Sequence, residues 1–65
     1  MKLIVNGDHR DFAVRTAGDL LNELHIKRER VAVLINEQVV RRAHLDETQL
    51  KENDNIEIIT MVGGG

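Results

Sequence analysis

Hydrophobic residues along this chain come in short runs whose period switches from alternating to helical and back. Leu3-Ile4-Val5 is an apolar run cut off by Asn6-Gly7, a dipeptide that favours a tight hairpin turn. A returning strand is expected from about Arg10 to Val14, with Phe12 and Val14 on one face. The period then changes. Leu20, Leu21 and Leu24 fall at helical spacing behind Thr16-Ala17-Gly18-Asp19, which has the spacing of a capping box with Thr16 as N-cap. Asp19 also suits the positive end of a helix dipole, and the helix should end near His25 or Ile26. A helix this short does not persist alone, so it must pack on a sheet.

Beyond the charged connection Lys27-Arg28-Glu29-Arg30, Val31 to Asn36 is the clearest strand of the sequence. Asn36-Glu37-Gln38 reads as a turn and Val39-Val40-Arg41 as a short return. One loose helical turn fits between Leu45 and Leu50, and Asn53-Asp54-Asn55 forms a polar turn before a last strand from Ile56 to about Met61. A single helix among about five strands must cover one face of a mixed sheet. The expected class is therefore α+β with a β-grasp architecture over residues 1–62, followed by a flexible tail at 63–65. The first and last strands should pair centrally and in parallel, with the tail leaving from a sheet edge.

Alternation also divides the last strands into two faces. If Ile56 and Ile58 are core, Glu57, Ile59 and Met61 point outward. If Val31, Val33 and Ile35 are core, Ala32 and Leu34 are exposed. Leu34, Ile59 and Met61 then form an apolar patch beside the tail, where a methionine suits a surface that fits several partners. Scattered surface hydrophobes are the alternative reading.

Composition removes several classes of function. The chain has no cysteine, which excludes disulfides, thiolate metal sites and a cysteine nucleophile, and agrees with a cytoplasmic location. Met1-Lys2 is followed by too short an apolar run for a secretory leader, and the five residues Val31–Ile35 are far too few to span a membrane. Phe12 is the one aromatic residue and the net charge is −2, so neither a stacking platform nor a phosphate-binding surface for nucleic acid is indicated. His9, His25 and His44 lack metal-ligand spacing. Residues 43–65 carry one Lys against five acids, so the tail follows an acidic segment to which a basic partner surface would be complementary. Asp46-Glu47 and Glu52-Asp54 read as solvated loop charges.

Gly63-Gly64-Gly65 admits two readings. Three glycines after a last strand are a frayed end, or a thread thin enough to carry a carboxylate through a narrow channel into an enzyme. Lys2-Leu-Ile-Val-Asn-Gly7, the helix Thr16–Leu24, Val31–Asn36 with Val39-Val40, and Asp54–Ile59 running into Val62-Gly63-Gly64-Gly65 together resemble the ThiS family of the ubiquitin-like β-grasp superfamily. The departure is Arg41, where members of that family usually carry proline.

The resemblance implies a sulfur carrier of thiamin biosynthesis that is not itself an enzyme and binds no cofactor. Gly65, reached through Gly64, would be the reacting residue. An E1-like adenylyltransferase (ThiF-type) would use ATP and magnesium to turn its carboxylate into an acyl adenylate. Sulfur from a cysteine desulfurase would convert that to a thiocarboxylate, and a thiazole synthase (ThiG-type) would accept it. Leu34, Ile59, Met61, Val62 and Gly63 would contact these partners, and the free chain would be a monomer. The same tail chemistry serves a molybdopterin-synthase small subunit or a ubiquitin-type protein modifier, and an interaction module with an incidental tail is the remaining alternative.

Overall fold

The computed structural model describes residues 1–61. They form a five-stranded sheet with one α-helix on one side. The strands are β1 (Lys2–Val5), β2 (Asp8–Asp11), β3 (Val31–Ile35), β4 (Gln38–Val40) and β5 (Asn55–Thr60), and the helix is α1 (Ala17–Glu23). Their order in the sheet is β2-β1-β5-β3-β4. β1 and β5 are parallel and every other neighbouring pair is antiparallel. The fold is thus the β-grasp expected from the alternation of periods. β5 is the central strand, however, so the chain leaves the sheet from its middle and not from an edge.

Both hairpins turn through two residues with positive φ. Asn6 and Gly7 have φ of 49° and 86°, and Asn36 and Glu37 have 51° and 72°. That is the pattern of turns whose twist matches that of paired strands. The first turn sets Val5 directly opposite Asp8, so β2 begins at once and ends at Asp11, opposite Lys2. The expected strand Arg10–Val14 is therefore displaced. Phe12 and Val14 are buried but lie beyond the strand, where the Phe12 N–H donates to the Met1 carbonyl at 2.8 Å and the Phe12 carbonyl accepts from the Met1 ammonium at 3.1 Å. The second turn sets Ile35 opposite Gln38, so Gln38 belongs to β4 rather than to the turn.

The capping box is present as read. Thr16 Oγ1 accepts the Asp19 N–H at 3.1 Å, and Asp19 Oδ2 accepts the N–H of Thr16 at 3.2 Å. At the other end the His25 N–H reaches the Asn22 carbonyl and the Ile26 N–H the Leu21 carbonyl, at 3.1 and 2.9 Å, closing the helix at Leu24. His25 occupies the left-handed position (φ 59°) usually given to glycine. Ala17, Leu20 and Leu21 pack on the inner sheet face against Leu3, Val5, Val31, Val33, Ile56 and Ile58. A 3-10 turn over Arg42–Glu47, earlier than the expected Leu45–Leu50, seals this core with Leu45. A second 3-10 turn, Arg28–Arg30, occupies the charged connection before β3.

Several expected loop charges have structural partners. Asp54 is buried: Oδ1 accepts from the Asn36 side-chain amide at 3.0 Å and Oδ2 from the Lys51 N–H at 2.8 Å. Asn36 Oδ1 in turn accepts the Asn55 N–H at 3.0 Å. This network ties the β3–β4 turn to the start of β5. Glu52 accepts the Lys2 N–H at 2.9 Å, and Asp46 pairs with Arg28 at 3.0 Å.

Candidate functional site: the open face of the sheet and the end of β5

The face of the sheet opposite α1 carries no covering element among the described residues. Its side chains follow from the register. Ile56 and Ile58 lie opposite Ile35 and Val33 on the covered side, which puts Glu57 opposite Leu34 and Ile59 opposite Ala32 on the open side. Leu34 also lies opposite Val39. Ile59, Met61 and Val39 expose 51, 50 and 69 % of their surface, values of surface side chains rather than core ones. Leu34 and Ala32 are half-buried, less open than expected, and Ile35 is half-buried rather than core.

Leu34, Ile59 and Met61 are therefore brought to one face, and the strip runs on to Val39, which the sequence reading omitted. The missing signal was the hairpin register: counting outward from the two-residue turn Asn36-Glu37 places Val39 beside Leu34. Adjacent apolar side chains on neighbouring strands gain cross-strand contact but leave an apolar surface facing water.

Two anchors hold the end of β5. On the β3 side, the Met61 N–H donates to the Arg30 carbonyl at 2.9 Å. On the other side β1 has already turned away at Asn6, and the Asn6 side chain substitutes for its backbone. Asn6 Oδ1 accepts the Ile58 N–H at 2.8 Å and Asn6 Nδ2 donates to the Ile58 carbonyl at 3.3 Å. The left-handed backbone at Asn6 aims this amide while closing the hairpin, so one residue serves both the turn and the exit strand.

Val62, Gly63, Gly64 and Gly65, expected to be partner-contacting or reacting residues, lie outside the described residues. Among the described residues no group of three His, Asp or Glu side chains is placed to hold a metal ion. No helix among them is long and apolar enough to cross a membrane. A shallow hollow lined by Lys2, Ile4, His9 and Asn53 lies on the β1–β2 side of the sheet, away from the end of β5. The arrangement offers an apolar surface beside a strand end, and among the described residues no nucleophile or acid–base pair is assembled on it.

Comparison with known proteins agrees with this arrangement. The ThiS family model matches residues 3–65. The crystal structure of the thiamine biosynthesis protein ThiS from Geobacter metallireducens superposes with a TM-score of 0.86 at 32 % identity, over 100 % of both chains. The sulfur carrier protein ThiS of Thermus thermophilus is 28 % identical over 61 residues, covering 94 % of this chain and 95 % of that protein. A thiazole synthase from Paramagnetospirillum magneticum is 36 % identical over 66 residues, covering 100 % of this chain. The chain spans 20 % of the length of that synthase. The chain belongs to the ThiS family.

Proposed function

We propose that this chain carries sulfur as a thiocarboxylate on Gly65, presented as a free carboxyl end, and delivers it to a thiazole synthase. The observation that supports this most strongly is the end-to-end agreement with a ThiS structure together with a family match that runs to Gly65. A carboxylate is a poor electrophile, so the chemistry begins with activation by an E1-like adenylyltransferase of ThiF type. Its oxygen attacks the α-phosphorus of magnesium-bound ATP, pyrophosphate leaves, and the acyl adenylate forms. The persulfide of a cysteine desulfurase then attacks the acyl carbon and AMP departs; a thiol cleaves the resulting acyl disulfide, is itself oxidised to a disulfide, and releases the thiocarboxylate. The chain's own contribution is recognition and reach. Leu34, Val39, Ile59 and Met61 dock on the partner, Asn6 and Arg30 hold the end of β5 in place, and Val62, Gly63 and Gly64 extend towards the partner's reaction centre. The ATP, magnesium and catalytic groups belong to the partners, which work in the cytoplasm.

The synthase is favoured as acceptor because the Paramagnetospirillum magneticum thiazole synthase includes, in one polypeptide, a stretch matching this whole chain. Joining carrier and acceptor raises their effective concentration without any new contact. The reading is tested by mixing the chain with the ThiF-type enzyme of its source, ATP and magnesium, and measuring pyrophosphate release. Release that depends on the chain and vanishes on deleting Gly64-Gly65, with the fold intact, is expected. Undiminished release after that deletion contradicts the assignment of Gly65. Adducts joined through target lysines would instead mark a protein modifier.

A further inference from the structure

The open apolar strip contains one charge that the fold leaves without a counter-ion. Of the five acids in residues 43–65, Asp46 is paired with Arg28, Glu52 with the Lys2 N–H, and Asp54 with Asn36 and Lys51. Glu47 sits on the 3-10 turn, away from the sheet face. Glu57 is different. It is exposed on β5, opposite Leu34 and two residues before Ile59 on the same face. Its remaining neighbours on that face are Asn55 along the strand and Asn6 one step beyond the Val5–Ile56 pair. Among the described residues the two ion pairs are Met1–Asp11 and Arg28–Asp46, and neither involves Glu57.

We propose that Glu57 determines the specificity of docking: the thiazole synthase that covers Leu34, Ile59 and Val39 presents a cationic side chain to its carboxylate. This rests on the preceding assignment of the synthase as the acceptor. Any surface that excludes water from Leu34 and Ile59 also strips water from the carboxylate between them. A purely apolar surface of matching shape would bury an uncompensated charge and is rejected, whereas a Lys or Arg at that point recovers the lost hydration. Apolar strips are promiscuous because they lack directional contacts, so a single charge set inside one restricts its partners. The occupant is the synthase because a relative carries a carrier-like stretch and a synthase in one chain.

The test is calorimetric titration of the full chain into the thiazole synthase of the same source, at low and at high ionic strength. Glu57→Gln should weaken binding about tenfold and flatten its salt dependence, and Glu57→Lys should weaken it about a hundredfold. Both variants should melt with the wild type, because Glu57 is exposed. Ile59→Glu serves as the reference that abolishes docking on the strip. Wild-type affinity of Glu57→Gln, alongside loss of binding by Ile59→Glu, overturns the role of Glu57 and leaves the strip intact. Tighter binding by Glu57→Gln overturns it equally. If the wild-type chain fails to bind the synthase but still supports pyrophosphate release by the ThiF-type enzyme, the synthase is the wrong occupant and the proposal falls with it.

Discussion

The two faces of one sheet use the same kinds of residue for opposite ends. On the inner face Ile56 is fully buried and Ile58 is 9 % exposed, both under α1, while one residue further along β5 Ile59 exposes 51 %. Removing apolar surface from water stabilises the fold only where the fold itself does the covering. Ile56 stabilises the domain, whereas Ile59 leaves half of its surface in water, which under the proposed function a partner would cover. A hydrophobic residue on this strand is therefore interpreted by its parity and not by its identity.

Substitutions on either face would break or sharpen that contrast. The largest effect is expected inside: Ile56→Ala should cost about 3–4 kcal/mol in denaturant unfolding, since a cavity would open at the centre of the sheet. For a domain of this size that approaches the whole stability. Next comes the buried network at the mouth of β5, where Asp54→Ala leaves Asn36 and Lys51 without their acceptor and should cost about 2 kcal/mol. On the open face Ile59→Glu should change the unfolding free energy by less than about 0.5 kcal/mol while abolishing partner binding. Comparable destabilisation by Ile56→Ala and Ile59→Glu would erase the distinction between the faces.

Two smaller effects lie at the margins. Glu37 adopts φ 72° in the second hairpin turn, so Glu37→Gly should stabilise by about 0.5–1 kcal/mol by removing left-handed strain. Asp11 is held below its usual carboxylate range, first by the hydrogen bond from the Met1 ammonium and then by the charge of that ammonium. A depressed folded-state pKa contributes stability above the unfolded value of 3.8 and loses it as the pH falls through the folded value. Wild type and Asp11→Asn should therefore differ slightly at neutral pH, begin to converge in melts as the pH falls below 3.8, and coincide below the folded value.

Much of this was legible in the sequence because it depends on local rules. The capping box at Thr16 and Asp19, the two faces of β5 and the parallel central pair all follow from spacing and from the single helix. What was not legible depends on register and on distant partners. Phe12 and Val14 look like strand residues, yet the Asn6-Gly7 turn brings the strand forward to Asp8. Val39 joins the strip through a pairing that must be counted from a turn with an unusual Glu37. Asp54 reads as a loop charge because the amide that donates to its buried carboxylate belongs to Asn36, 18 residues away. Asn6 reads as a turn residue, and its second role at Ile58 spans 52 residues. No local pattern encodes those contacts.

The most direct test is the mass of the native protein, purified from its source grown without thiamin and before any reducing or alkaline step. The account predicts a population in which one oxygen is exchanged for sulfur at Gly65, reverting when thiamin is supplied. A uniformly unmodified Gly65 carboxylate under thiamin starvation, or a chain attached through Gly65 to lysines of other proteins, would contradict it.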